Sequence, residues 1–356
     1  MISPSALALA PLSALYGAMM RARFALYRAG ALRTHRIDAP VISVGNITTG
    51  GTGKTPVVEW LARVVAREGR SACILTRGYG RVDVRERVVV SDGERLLAGA
   101  REGGDEPRLL AEVLLGTAAV VSDRDRVAAA RWASENLGAE VFLLDDAFQH
   151  LRIARDLDIV TIDATAPWGG GHLLPRGRLR EPLRGLGRAG CIVITRADLV
   201  PDPGALKAEV ERLSDGRAVV LTSRVRTLRT RRLWAFGSGQ ETADEVVAQP
   251  VAAFCAIGNP QAFFTHLEND GHILRHRHAF PDHHRFTQED MDALGDTAVN
   301  LGARSLLVTA KDAVKLRSLG FSLPLYVVEV QMEFDDESRI LGLVHEAIKN
   351  RARSLK

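Results

Sequence analysis

Cysteine is scarce in this sequence, lysine is far rarer than arginine, and acidic residues are missing from its start. The three cysteines, Cys73, Cys191 and Cys255, stand alone in the apolar runs SACIL, GCIVI and AFCAI. With no CxxC and no His/Cys ligand spacing, a disulfide framework and a structural zinc site are excluded, and the thiols read as buried and reduced, as in a cytosolic protein. The apolar stretch 6–20 (ALALAPLSALYGAMM) falls short of the roughly 20 residues a spanning helix needs. Its basic residues follow rather than precede it and no cleavage site comes after, so it is no secretory signal either. There is no internal repeat and no low-complexity segment. Arginine so dominates the bases that arginine clusters carry less information than usual.

The missing acids are more telling. Residues 1–37 contain Arg21, Arg23, Arg28, Arg33 and Arg36 but no Asp or Glu, Asp38 being the first. The 356-residue chain has 47 Lys+Arg against 43 Asp+Glu, and setting those five arginines aside leaves 42 against 43, a net of −1 for the remainder. The basic excess thus belongs to one end, and no nucleic-acid partner is expected of the body. At about 100° per residue, Leu12, Leu15, Tyr16, Met19, Met20, Leu26 and Tyr27 share one face, with Arg21 and Arg28 opposite and Arg23 interrupting it. Such a helix either lies in an anionic membrane surface or packs on its own domain. Apolar residues at 46% and charged residues at 25% are those of an ordinary globular protein, and the length allows one large domain or two or three smaller ones.

Short apolar runs at 41–44, 72–75, 118–121, 141–144 and 157–162 alternate with helix-like segments at 56–68, 107–115 and 124–137. This predicts an α/β fold, a parallel sheet with helices on both faces. Residues 82–96 read as a β-hairpin around Ser91-Asp92-Gly93. A Gly/Pro/Arg-rich stretch at 166–190 reads as a functional loop or a boundary. Further apolar runs follow at 191–195, 217–222, 251–257, 305–309 and 324–330, and a helical segment at 336–353 ends the chain.

Residues 48–55 (TTGGTGKT) follow a strand and precede a helix opened by Pro56, the context of a nucleotide phosphate loop. Thr48, Thr49, Gly50, Gly51, Thr52 and Gly53 would wrap backbone N–H groups around the phosphates. Lys54 would reach the terminal phosphates of ATP, and the Thr55 hydroxyl would ligate Mg²⁺. The strict pattern wants Gly where Thr48 stands. The run VFLLDD ends a buried strand in Asp145 and Asp146, at the sheet edge that faces the phosphates, and at least one of them is expected on the metal. Asp105, in GDEP before a helical run, reads either as a helix cap or as a catalytic base. Six of the ten histidines fall in 266–284 without metal-ligand spacing.

Together, GGTGKTP, RGYGR (77–81), GDEP (104–107), DRVAAA (125–130), LLDDAFQH (143–150), LLPRGRLREP (173–182) and FPDHH (280–284) resemble the tetraacyldisaccharide 4′-kinases, in family order. The Thr at position 48 is usual in that family. The resemblance implies a P-loop kinase that moves the γ-phosphate of ATP to the 4′-hydroxyl of a tetraacylated glucosamine disaccharide 1-phosphate, giving lipid IV-A at the cytoplasmic face of the inner membrane. It implies Asp105 as base assisted by His283, Asp145 and Asp146 on the metal, and Gln149 at the nucleotide. Tyr79, Arg126, Arg180, Glu181 and Asp282 are placed by it around substrate or nucleotide, while His150 and His284 receive no role. It further implies a kinase domain of residues 1–155 completed by 334–356, a smaller α/β domain at 167–321, linker strands at 156–166 and 322–333, and membrane contact through residues 1–30.

Two other readings compete. TRAD (195–198) loosely resembles the base-reading NKxD of GTPases, which would make the chain a GTP-driven switch or metallochaperone, but Thr and Arg replace the motif's Asn and Lys. A kinase of a soluble sugar or cofactor would have no use for the basic, apolar start. The sequence carries no signal of oligomeric state.

Overall fold

The structure is a computed structural model that describes residues 9–234 and 246–354. Residues 1–8 of the expected membrane segment, 235–245 of the expected second domain and 355–356 lie outside the described residues.

Twelve strands of the described residues form one sheet in the order β10-β9-β11-β12-β8-β7-β6-β1-β5-β2-β4-β3. The first lobe is built on β1 (Val41–Asn46), β2 (Ala72–Thr76), β4 (Ala118–Ser122), β5 (Val141–Asp145), β6 (Leu157–Asp163) and β7 (Cys191–Thr195), all parallel. Only β3 (Val88–Ser91) at the edge runs antiparallel. Alternate residues point to opposite faces. Ile42, Val44, Ile74 and Leu143 meet helices α2 (Lys54–Arg67), α3 (Asp105–Val113) and α8 (Glu337–Ser354) on one side. Val41, Leu75, Phe142 and Leu144 meet α4 (Arg126–Leu137) on the other. Because both faces are covered, these strands are apolar at most positions, Ser43 and Thr161 being buried polar exceptions, and their sequences read as near-continuous apolar runs.

The second lobe holds β9 (Val251–Cys255), β10 (Leu274–Ala279) and β11 (Ser305–Thr309), with α6 (Pro260–Asn269) and α7 (Gln288–Asn300). The long strand β8 (Val219–Leu233) pairs parallel with β7 through Thr222, then antiparallel with β12 (Leu325–Phe334) from Ser223 to Leu233. This two-stranded ribbon carries the second lobe; α5 (Pro203–Leu213) covers the first beside β8.

Three expectations change. Leu157–Asp163 is no linker: it pairs with β1 on one side and β7 on the other, in the middle of the first lobe. Residues 191–222 therefore belong to the sheet of the first lobe as well, and the crossing strands are β8 and β12. A run buried on both faces does not reveal which strands flank it. The hairpin over 82–96 is reduced to a turn with a single Ser91–Leu96 bridge, while Val88–Ser91 pairs instead with β4. Strand β10 (LRHRHA) went unread because its alternating Arg and His give no apolar period, as suits an edge strand.

Helix α1 (Ala10–Arg28) packs on the first lobe through Ser13, Gly17 and Met20. The Ser13 hydroxyl donates to the Leu173 carbonyl, Tyr16 to the Arg180 carbonyl and Arg23 to the Gln149 carbonyl. The expected single apolar face is therefore split. Met20 turns inward, while Leu12, Leu15, Met19 and Leu26 stay exposed. No helix among the described residues is long and apolar enough to cross a membrane. Cys73, Cys191 and Cys255 are free and buried, and burial pushes each thiol up to about 12.

Candidate active site

The loop after β1 is held by a short relay of polar side chains. Asn46 Nδ2 donates to Thr52 Oγ1 at 3.0 Å, Thr52 Oγ1 shares a 2.7 Å hydrogen bond with Thr161, and Thr195 Oγ1 donates to the Thr52 carbonyl at 3.0 Å. Gly53 caps α2 at φ 79°, where a side chain would also crowd Thr195. Arg196 donates to the Gly51 carbonyl and pairs with Asp163. The arginine of TRAD thus grips the loop backbone.

Thr48 is buried and bridged to Leu179, and the Thr49 N–H donates to the Arg178 carbonyl at 2.7 Å. Arg178 Nε in turn donates to the Thr49 carbonyl at 2.9 Å, so its guanidinium lies against Gly50. The first half of the loop is therefore tied to the 173–182 segment. Gly51, on the other side, is approached by Gly258 of the second lobe.

Asp145 and Asp146 end β5 in very different settings. Asp146 sits at φ 48°. Its carboxylate accepts two hydrogen bonds from Arg180 Nη1, at 2.7 and 2.9 Å, and lies 3.5 Å from Lys54 Nζ. Burial raises its carboxyl, but Lys54 and Arg180 outweigh that and bring it to about 2. Asp145 is fully buried, and burial with the nearby Glu106 and Asp146 charges pushes it up to about 7. Its Oδ1 has no hydrogen-bond partner. A buried carboxylate oxygen left bare next to a second carboxylate is the kind of hard oxygen donor that Mg²⁺ takes. Among the described residues no cluster of three or more His, Cys, Asp or Glu could hold a metal alone, and Mg²⁺ at phosphates needs only one or two protein carboxylates.

Asp105 is not a helix cap. Gly104 holds the cap position at φ 102°, and no side chain caps α3. The Asp105 carboxylate instead faces the second lobe, 3.6 Å from His283 Nδ1 and 3.8 Å from Lys315 Nζ. Burial raises its carboxyl, and His283, Lys315 and Lys311 together more than offset this, leaving it below its ordinary value. His283 sits at φ 62°, its ring 5.6 Å from that of Tyr79 and its Nε2 3.8 Å from Asp282. Of the four non-glycine residues with positive φ among those described, Asp146, Arg196 and His283 are here. Held in a costly conformation, they mark this cleft as the place where the fold concentrates strain.

Gln149 donates to the Asn46 carbonyl and to Glu181, leaving only its Oε1 for a ligand. Glu181 is fully buried, its carboxylate held by Gln149 and Arg188. Arg126 is likewise buried, behind the Asp145 turn, with Nη2 3.3 Å from the Asp145 carbonyl. Tyr79 is 72% exposed at the cleft mouth. His150 is half-buried with its Nε2 unpaired, and His284 pairs with Asp290. A cavity of about 520 Å³ opens from Thr55 between α2, α3, the β8/β12 ribbon and the second lobe. That volume suits a nucleotide-sized ligand.

Sequence reasoning missed Arg178, Arg196, Lys311 and Lys315. The first two lay inside motifs already noticed, LLPRGRLREP and TRAD. The lysines sit in AKDAVK (310–315), which carries no spacing signal of its own.

The profile of the tetraacyldisaccharide-1-P 4′-kinase family matches residues 5–349. The tetraacyldisaccharide 4′-kinase of Desulfotalea psychrophila is 38% identical over 330 residues, covering 92% of this chain and 93% of that protein. That of Anaeromyxobacter dehalogenans is 43% identical over 319 residues, covering 87% and 82%. The crystal structure of LpxK from Aquifex aeolicus in complex with ATP superposes with a TM-score of 0.75 at 29% identity, covering 96% of this chain and 99% of that one.

Proposed function

The chain belongs to the tetraacyldisaccharide-1-P 4′-kinase family, and from that premise we propose how its residues carry out the reaction. The enzyme transfers the γ-phosphate of ATP to the 4′-hydroxyl of a tetraacyldisaccharide 1-phosphate, a step of lipid A biosynthesis. A GTPase switch, a metallochaperone and a soluble-sugar kinase are not favoured.

The observation that carries the residue roles is the meeting of Asp105 with His283 across the two lobes, in the same cleft as Lys54 and the Asp145–Asp146 turn. Asp105 takes the proton as the 4′-oxygen bonds to the γ-phosphorus and the bond to the ADP oxygen breaks. His283 keeps the carboxylate ionised beforehand and stabilises the charge shift. Lys54 and the loop amides offset charge on the phosphates. A bound Mg²⁺ would supply neutralisation of charge at the phosphates. Thr55 and Asp145 would hold it, with Asp146 at its side but already engaged by Arg180 and Lys54. Gln149, its Nε2 engaged by Asn46 and Glu181, would meet the nucleotide through Oε1. Arg126 supports the Asp145 turn from behind, and Tyr79 and Asp282 border the entry for the sugar. The two lobes act as kinase and closing domains, hinged on β8 and β12.

The protein is peripheral on the cytoplasmic face of the inner membrane, resting on α1. Leu12, Leu15, Met19 and Leu26 supply the apolar contact, with Arg21 and Arg28 beside them for anionic headgroups. The same helix is hydrogen-bonded to the Arg180 and Gln149 backbones, so a lipid held there is close to the catalytic cleft.

The test is Asp105→Ala assayed with Mg-ATP and tetraacyldisaccharide 1-phosphate in detergent. Turnover should fall by about 10²- to 10⁴-fold, the usual share of a general base, with ATP affinity nearly unchanged. Undiminished turnover refutes the role.

A further inference from the structure

Lysine normally carries its ammonium out to water on a flexible stem, yet the Lys315 side chain is 7% exposed. Its Nζ lies 3.1 Å from Asp312 Oδ1, 3.3 Å from the His284 carbonyl and 5.5 Å from the Phe286 ring. Asp312 is fully buried, and its other oxygen accepts from the Ala256 N–H at 2.9 Å and the Thr309 hydroxyl at 2.8 Å. The Ala256 carbonyl accepts from the His283 N–H. One buried carboxylate thus fixes the lysine and, through Ala256, the turn that carries His283. What Lys315 still faces is Asp105 of the other lobe, at 3.8 Å. A charge held this rigidly in a cleft of low dielectric acts on its neighbour far more than an exposed one would.

We propose that Lys315 is a positioning residue of the phosphoryl transfer: anchored by Asp312 in the second lobe, its ammonium aims and keeps ionised the Asp105 carboxylate of the first lobe when the lobes meet. Lys311 plays a different part, pairing with Glu106 at 2.9 Å and Asp282 at 3.6 Å, so it joins the lobes without touching Asp105. The proposal rests on Asp105 accepting the hydroxyl proton. It makes the base competent only where both lobes contribute, which couples chemistry to closure.

A double-mutant cycle tests this with the full-length enzyme. Lys315→Met should lower kcat by about 10- to 100-fold, a fraction of the whole general-base effect, with KM for ATP within about twofold. In an Asp105→Asn background the same substitution should cost nothing further, because its target is already gone. If the losses multiply, Lys315 acts independently of Asp105 and the proposal falls. It falls equally if Lys315→Met turns over normally while Asp105→Asn is inactive, whereas an active Asp105→Asn sinks the base assignment itself. Should thermal unfolding show that Lys315→Met does not fold, Lys315→Arg carries the test: retained charge should retain kcat, and a loss as great as removing the base refutes the proposal.

Discussion

Gly258 gives the sharpest handle on whether the two lobes must meet. It follows β9 in the second lobe and its backbone is not in the left-handed region, so alanine is conformationally allowed there. A Cβ at this position would nonetheless stand 2.6 Å from the Gly51 nitrogen and 3.3 Å from Gly50 Cα and its carbonyl carbon. Ordinary contact needs about 3.5 Å or more, so the overlap is close to 1 Å. All three neighbours are backbone of the phosphate loop, and no flexible side chain can yield. Either the loop shifts or the lobes separate. Overpacking of this kind costs about 1–3 kcal/mol. Because separation spares the cores of both lobes, the cost should fall on the closed state rather than on folding. Gly258→Ala should therefore lower kcat/KM for ATP by about 5- to 150-fold and shift the thermal midpoint by less than about 2 °C. Steady-state kinetics with varied ATP, beside a melting curve, decide it. A kcat/KM within twofold of the parent enzyme would refute the argument that this apposition is part of the working enzyme.

Three further outcomes follow from named contacts. Glu181→Ala strands a partly exposed Arg188 and frees Gln149, and should destabilise the fold by about 2–4 kcal/mol, a little under a fully buried pair; an unchanged denaturation midpoint with a raised KM for lipid would assign Glu181 to the substrate. Leu15→Glu combined with Met19→Glu places two acids on exposed positions of α1 and should abolish sedimentation with anionic vesicles without altering the melting curve; undiminished sedimentation would return α1 to a purely packing role. Burial, then Arg126 and Arg155, lower His150 from 6.5 to about 4, so between those values the unfolded chain binds the extra proton and stability is lost as pH falls. His150→Gln should remove up to about 3 kcal/mol of that acid-side loss, read from urea denaturation at pH 4 and pH 7; identical pH slopes would show that another group is responsible.

The legible parts of this protein were those set by neighbours in sequence. The β1–loop–α2 unit showed itself because glycines at 50 and 53 take the left-handed conformations that open a phosphate loop, and because a strand buried on both faces is apolar at most positions. VFLLDD announced its carboxylates for the same reason. The near-neutral body and the basic start needed only counting. What the local sequence left open was decided by contacts between distant segments. Asp105 as cap and Asp105 as base require the same acid at the same helix start, and only the fold placed Gly104 in the cap and brought His283 and Lys315 to the carboxylate. Asp145 and Asp146 are identical side chains in adjacent positions; burial with a bare oxygen and pairing with Lys54 and Arg180 separated them. LDIVTI looked the same as a linker or a central strand until its two flanking partners were known. Periodicity and turn chemistry are short-range properties of a chain, whereas the field at a carboxylate is the sum of everything folding has carried to its side.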